Sequence, residues 1–115
     1  MPNVQGFLPG DFLIFQIESG FGLLRILAID ESGAETIWHL TVYRDLFPEI
    51  DYAELAIASP ESLTPEMDHI ALTDRAFEST QVSRLGNVPL TAKEQDLDGN
   101  REVSDRSIRL LLGLR

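Results

Sequence analysis

The stretch that determines the fold is residues 10–30, which read GDFLIFQIESGFGLLRILAID. Aromatic and β-branched residues dominate both halves of this stretch, as is typical of β-strands. Between the halves, Ser19-Gly20 and Gly22 provide the backbone freedom that a tight reversal requires. The stretch therefore predicts an antiparallel hairpin, with strands at 12–17 and 23–29, that forms the core of a small β-rich domain.

A third strand is predicted at residues 35–43, after a turn at 31–34. Apolar and polar residues alternate along it, so its side chains should point to opposite faces of the sheet. One face is predicted to carry Trp38, Leu40 and Val42, and the other His39, Thr41 and Tyr43. Trp38 belongs either to the core or to an open binding face. Residues 44–48 are expected to end the strand, because Pro48 cannot donate to a ladder.

The second half of the chain predicts short elements of both kinds. Asp51 is expected to cap a helix that runs to Ala58, although the alternation in 52–58 also fits an edge strand. Ser59-Pro60 has the pattern of a helix start and predicts one further turn. A fourth strand is predicted at 69–73, followed by residues 74–77 and then a polar link at 78–80.

The remaining residues predict a short strand at 81–85 and a capping box from Thr91 to Glu94. Residues 96–100 are expected to form a solvated turn. A final helix is predicted at 107–112, ending at Gly113, with a last strand as the alternative. Residues 1–115 are thus expected to form one α+β domain. Its fold class is a twisted antiparallel sheet, or a partly open SH3-like barrel, with short helices on one side.

Composition narrows the classes of function. Nineteen acidic and nine basic residues give a net charge of −10, and the bases are scattered. Nucleic acids and anionic membranes are bound by clustered bases, so we expect neither partner. The residues at 1–6 include no base before the first apolar run, and no run is long enough to span a bilayer. With no cysteine, the chain suits a reducing compartment, and we expect a cytoplasmic protein.

Few residues are candidates for catalysis or metal binding. His39 and His69 are the only histidines, and with Asp68 or Asp74 they permit a two-histidine, one-carboxylate cluster if their strands pair. Their spacing does not require such a cluster. Residues 96–102 resemble a calcium loop, but Gly99 falls at position four rather than six. We therefore predict no catalytic residue, no metal and no cofactor.

A protein partner is the favoured interpretation of the acidic charge. Acidic surfaces accelerate association with basic proteins. Acids follow the third strand beside two aromatic residues, an arrangement that predicts an aromatic anchor inside a charged rim. The predicted binding residues are Asp45, Phe47, Glu49, Asp51, Tyr52 and Glu54. An ordinary solvated helix is the alternative for this segment.

Two segments resemble a known family. The opening at 10–15 and the later 22–27, Gly-Leu-Leu-Arg-Ile-Leu, are similar to the start of bacterial immunity proteins of the immunity protein 26 type. Residues 84–91, Arg-Leu-Gly-Asn-Val-Pro-Leu-Thr, resemble a later segment of those proteins. The likeness covers about a third of the chain and excludes the strand around Trp38. It implies a curved sheet and a protein partner, a secreted toxin, and it transfers no catalytic residue.

Three functions are therefore carried forward as hypotheses. The leading one is a non-catalytic protein-binding module, an immunity-like inhibitor of a basic toxin. A second is a small-molecule-binding protein or small hydrolase that uses His39 or His69. The third is a structural subunit of a larger assembly. The sequence leaves the oligomeric state open.

Overall fold

The predicted hairpin lies inside an open, twisted sheet of six strands. The computed structural model describes residues 6–96 and 103–106. In chain order the strands are β1 (Asp11–Ile17), β2 (Gly20–Asp30), β3 (Ile37–Phe47), β4 (Pro65–Thr73), β5 (Val82–Asn87) and β6 (Val103–Ser104). The helices are α1 (Ile50–Ile57), α2 (Asp74–Thr80) and α3 (Ala92–Gln95), and a 3-10 turn covers Pro60–Ser62. The strands are ordered β5-β1-β2-β3-β4-β6 across the sheet.

The hairpin forms as predicted, but its turn is tighter than the sequence suggested. Strand β2 begins at Gly20, which pairs with Ile17, so both glycines lie inside the strand. Gly22 pairs with Phe15, and a Cβ at Gly22 would lie 2.3 Å from Phe15 Cζ. Gly22 therefore lets the aromatic ring lie directly across the neighbouring strand, a role in packing rather than in the reversal.

Strand β3 has the two predicted faces but extends further than predicted. Trp38, Leu40 and Val42 join the buried cluster on one face. The strand continues to Phe47, which pairs with Phe21, so ending it at residue 43 was wrong. The proline at position 48 is the first residue of this segment that cannot donate a ladder hydrogen bond, and the strand ends just before it.

The α+β class is confirmed, and the sheet is open rather than closed into a barrel. Strands β1 to β5 pair antiparallel, whereas β4 and β6 pair parallel, so the sheet is mixed. The helices are divided between its two faces instead of lying on one side. Helix α2 packs on the face that carries Trp38, which we call the first face, and α1 packs on the opposite, second face.

An aromatic stack closes the first face. The rings of Trp38 and Phe77 lie parallel with centroids 3.9 Å apart, and Phe7 packs edge-on against both. Trp38 Nε1 donates to Asp74 Oδ1 at 2.8 Å, so its polar atom is also satisfied. Trp38 is thus a core residue. The stack depends on α2, which Thr73 caps by accepting a hydrogen bond from the Ala76 N–H.

The prediction of a polar link at 78–80 was wrong, because α2 extends through Thr80. The helical interpretation of 52–58 is confirmed, since α1 buries Ala53 against the second face. Asp51 lies in the first turn of α1, and the N-cap position is Glu49, whose side chain makes no capping hydrogen bond. The predicted capping box of Thr91 and Glu94 is present.

Some predictions lie outside the described residues, namely the terminal element at 107–112 and most of the turn at 96–100. Among the residues that are described, none of the helices has the length and apolar character that crossing a membrane requires.

Candidate functional site

Two surfaces on the second face of the sheet are candidates for function. The first is the outer side of α1, which we call the α1 surface and define as Ile50, Asp51, Tyr52, Glu54 and Leu55. All five residues are exposed, because α1 rests on the sheet through its other side, where Ala53, Ala56 and Ile57 pack against the second face. Residues three or four apart are neighbours on a helix, so Leu55 lies beside Asp51 and Tyr52. No base lies in α1, and its surface therefore combines apolar groups with negative charge only.

The predicted binding residues do not all belong to this surface. Glu49, Asp51, Tyr52 and Glu54 are exposed at the start or along the outer side of α1. Asp45 instead has a structural contact, because its Oδ2 accepts a hydrogen bond from the Thr64 N–H at 2.6 Å.

Phe47 is half-buried and packs against the apolar cluster of the second face. Leu55, which is 73% exposed, was missed because in sequence it reads as a core residue of an amphipathic helix. The centre of the α1 surface is therefore Tyr52 and Leu55 rather than Phe47.

The second candidate is a cleft of about 850 Å³ on the same face of the sheet. Its floor is formed by β2 and β3, which contribute Arg25, Leu27, Thr41 and Tyr43. One wall consists of residues 60–69 and the other of residues 88–96. A cleft of this volume falls within the range of sites that bind small molecules or parts of a larger ligand.

Arg25 holds the second wall of the cleft against the sheet. Its side chain is 1% exposed, and its Nε and Nη2 donate to the two carboxylate oxygens of Glu94 at 2.6 and 3.1 Å. Nη2 also donates to the carbonyls of Val88 and Pro89, at 3.0 and 3.1 Å. Its Nη1 donates to the Gly10 carbonyl at 3.1 Å. One buried guanidinium on the hairpin thus holds three parts of the chain to it. These are the end of β5, the segment that follows β5, and α3.

Glu94 serves two purposes in this network. Besides accepting from Arg25, its Oε1 accepts the Thr91 N–H at 3.0 Å and completes the capping box of α3. Burial raises the pKa of Glu94, but the hydrogen bonds from Arg25 and Thr91 outweigh burial and leave its pKa below the ordinary value. The carboxylate is therefore ionised at neutral pH and forms a bidentate ion pair with the guanidinium.

Tyr43 presents an unpaired hydroxyl to the cleft. Its side chain is 6% exposed and packs beside Phe12, yet none of the described residues hydrogen-bonds to the hydroxyl. Every fully buried polar side-chain atom of the described part has a partner, so this hydroxyl retains contact with the solvent of the cleft. Burial raises the pKa of Tyr43 to about 12, only partly opposed by the charge of Arg25, and keeps the hydroxyl protonated.

The two histidines meet at the edge of the cleft. His39 Nδ1 and His69 Nε2 lie 2.8 Å apart, so one ring donates a hydrogen bond to the other across β3 and β4. His69 lines the cleft. Burial lowers the pKa of His39, and the charge of Asp30 opposes this only in part. The neutral form of the His39 ring is therefore favoured.

The strands that carry the two histidines, β3 and β4, pair with each other. This pairing is the condition under which the sequence permits a metal cluster. A third ligand is the missing component: within residues 6–96 and 103–106, no group of three histidine, cysteine, aspartate or glutamate side chains could hold an ion. The pair can supply two nitrogen ligands, or a proton donor and a proton acceptor, at the cleft edge.

Sequence reasoning missed the Arg25–Glu94 network and the cleft that it shapes. A signal for the first was available, since Arg25 interrupts the apolar run from Leu23 to Leu27. A charged residue in the middle of a buried strand requires a hydrogen-bonded partner of opposite charge. That the partner is Glu94 depends on a contact 69 residues distant, which local patterns do not report.

Gly10 and Asp11, which carry part of the resemblance to immunity proteins, also have structural contacts. Asp11 is buried, and its carboxylate accepts hydrogen bonds from the Leu8 N–H, Arg84 and Asn87. No protein-family model, no curated protein and no solved structure matches this chain. The resemblance to immunity proteins therefore stays a prediction.

Proposed function

We propose that this domain is a protein-binding module that recognises a basic protein through the α1 surface, as an immunity-type inhibitor of a toxin would. The observation that carries the proposal is the composition of that surface. Tyr52 and Leu55 are 55% and 73% exposed, whereas a helix that serves only the fold keeps large apolar groups against the sheet. Exposed apolar groups next to each other are characteristic of interaction sites.

The charge around these apolar groups supports a basic partner. Glu49, Asp51 and Glu54 surround Tyr52 and Leu55, and α1 contains no base to neutralise them. An aromatic anchor inside a charged rim is the usual anatomy of a protein interface. The net charge of −10 adds a long-range attraction that steers a basic protein towards the domain.

The test compares two variants with the same change in charge. Asp51→Lys/Glu54→Lys reverses the α1 surface, and Glu31→Lys/Glu78→Lys reverses two exposed acids elsewhere, one of them on α2. Each variant and the wild-type domain is used to capture proteins from the native cell. A toxin encoded beside this gene is the expected partner, retained by the wild type and by the control variant.

The association rate of that partner is then measured at two salt concentrations. The Debye length falls from about 10 Å at 0.1 M to about 3 Å at 1 M salt, so steering should fade. Association should slow strongly for Asp51→Lys/Glu54→Lys and only modestly for the control. An on-rate that is indifferent to salt, or equal slowing in both variants, would contradict the proposal.

A second candidate function is favoured by one observation, the position of His69 in the cleft. Paired with His39, it could position or protonate a small molecule bound there. A ligand of this kind should perturb the His69 ring resonances on binding, and His69→Gln should abolish its turnover while leaving protein capture by the α1 surface intact.

A further inference from the structure

We infer that the cleft receives an arginine side chain of the basic partner. This inference rests on the proposed function, because it assigns a second contact to the same partner. The cleft and the α1 surface lie on the same face of the sheet, and the 3-10 turn that follows α1 forms part of the cleft wall. A partner seated on α1 is therefore positioned to extend a side chain into the cleft.

The charge of the cleft favours a cation. Glu61 and Asp68 lie on one wall and Asp96 on the other, and none of their carboxylates has an ion-pair partner among the described residues. Of the lysine and arginine side chains in the cleft lining, only that of Lys93 makes no ion pair within the described part. The remaining charges of the lining, those of Arg25 and Glu94, neutralise each other.

Arg25 does not make the cleft a site for anions, although it lies in the floor. Its donors are directed to the Glu94 carboxylate and to the carbonyls of Gly10, Val88 and Pro89. An incoming carboxylate or phosphate would have to displace these acceptors from a side chain that is 1% exposed. The guanidinium belongs to the architecture of the cleft. The charges of the lining that have no ion-pair partner in the described part are three acids and Lys93, so they are negative in sum.

The Tyr43 hydroxyl is the second observation that points to a ligand. It is the polar end of a buried side chain, it lines the cleft, and none of the described residues hydrogen-bonds to it. Such a group is available to a ligand that replaces solvent in the cleft, and its lone pairs can accept from an N–H donor. Unpaired carboxylates and a hydroxyl acceptor together match a side chain that has several donors and a positive charge.

Arginine fits this lining better than lysine. Its planar guanidinium has five donors in a fixed arrangement, and it is more weakly hydrated than an ammonium group. Its apolar stem can pack against the Leu27, Leu63 and Pro65 side chains that also line the cleft. Protein interfaces accordingly favour arginine over lysine.

The experiment uses short peptides as probes of the wild-type domain. Acetyl-Ala-Arg-Ala-amide is titrated into the labelled protein while its amide and side-chain resonances are followed. The same peptide with citrulline is the matched control, because citrulline keeps the shape of arginine and lacks its charge. The arginine peptide should shift resonances of Thr41, His69 and Lys93 saturably, and the citrulline peptide should bind at least about tenfold more weakly.

Two variants assign the effect to the cleft. Tyr43→Phe removes one hydroxyl and keeps the packing ring, so the arginine peptide should bind about fivefold more weakly to it. Asp51→Asn/Glu54→Gln removes charge from the α1 surface instead and should leave peptide affinity unchanged. Equal binding of both peptides, shifts confined to α1, or no saturable shift would overturn the inference.

The outcome is separable from that of the proposed function. Peptide binding in the cleft requires no knowledge of the partner, whereas the charge-reversal test of the α1 surface measures the partner alone. If α1 reversal slows the partner but the peptides do not bind, only the cleft inference fails. If the arginine peptide binds but α1 reversal has no effect, only the assignment of the α1 surface fails.

Discussion

The two faces of the sheet are built by different physical means. The first face is closed by apolar contact, with the Trp38–Phe77 stack and Phe7 filling the space between the sheet and α2. On the second face, a buried guanidinium holds residues 88–96 to the hairpin through directed hydrogen bonds. Close packing fills the space between the Trp38 side of the sheet and α2, whereas the segment held by directed hydrogen bonds borders an open cleft.

The largest expected effects come from placing a charge inside either face. Ile26 is fully buried on the first face, and Ile14 is buried in the cluster of the second. Aspartate at either position would be an unpaired buried carboxylate and should cost several kcal/mol, enough to unfold a marginally stable domain. Gln16→Asp, at an exposed position of β1, is the control and should remain folded.

Circular dichroism during thermal unfolding checks this prediction. If Ile14→Asp keeps the wild-type melting temperature while Ile26→Asp unfolds, the second face can accept a buried charge that, unlike that of Arg25, has no ion-pair partner. The two faces would then differ in stability as well as in construction.

The next largest effect is expected from the Arg25 network. Arg25→Met keeps much of the volume but removes the guanidinium donors from the Glu94 carboxylate and from three carbonyls, so that the Thr91 N–H is the one remaining donor to Glu94 among the described residues. Removing one partner of a buried ion pair should lower the free energy of unfolding by about 3 kcal/mol. Arg44→Met is the matched control, because Arg44 pairs with Glu66 at 3.2 Å on the surface and its side chain is 67% exposed. Exposed pairs contribute about 1 kcal/mol or less.

Urea denaturation of both variants measures this difference. Similar losses in Arg25→Met and Arg44→Met would show that the second face does not depend on the buried pair. A local readout is also available, since the amide protons of Glu94 and Gln95 should exchange faster in Arg25→Met if residues 88–96 detach from the sheet.

These contrasts explain which features the sequence could predict. The hairpin, β3 and the capping box of Thr91 were predictable because each depends on alternation or on neighbours within a few residues. The helix α2 was missed, because residues 78–80 were interpreted as a polar link and Thr73, its N-cap, was interpreted only as the end of a strand. Asp51, Tyr52 and Glu54 are exposed, and the binding role that local charge and aromaticity predict for them stays a prediction.

The cleft could not be predicted in the same way. Its walls, residues 60–69 and 88–96, are brought to the same part of the sheet by long-range contacts. Predicting that His39 contacts His69 would have required the register of β3 against β4. Bulges near residues 40–43 shift that register. Alternation places a residue on a face, but only the register decides which residue lies beside it.

A smaller, pH-dependent effect is expected from the histidine pair. Because burial lowers the pKa of His39 in the folded protein, the unfolded chain binds a proton more readily. The stability contribution is present above the unfolded pKa of about 6.5 and is lost as the pH falls below it. Unfolding free energies measured between about pH 7.5 and pH 5 should therefore fall less steeply for His39→Gln than for the wild type. Identical slopes would contradict the assignment.

The smallest expected effects on stability concern two polar groups of the second face, one with and one without an internal hydrogen bond. Thr41 and Tyr43 are both buried and line the cleft, but only Thr41 has a partner, since its hydroxyl donates to the Asp68 carbonyl at 2.8 Å. Thr41→Val should therefore cost about 1 kcal/mol, the usual net contribution of such a hydrogen bond. Tyr43→Phe should change the unfolding free energy by less than about 0.5 kcal/mol, because no internal hydrogen bond is lost.

Urea denaturation of the two variants, with the wild type as reference, tests the distinction. A loss in Tyr43→Phe as large as that in Thr41→Val would mean that the Tyr43 hydroxyl stabilises the fold after all. A near-zero change in the unfolding free energy of Tyr43→Phe would mean that the hydroxyl does not stabilise the fold. A buried hydroxyl that contributes nothing to stability has its hydrogen-bonding capacity free, and the cleft is where a ligand can use it.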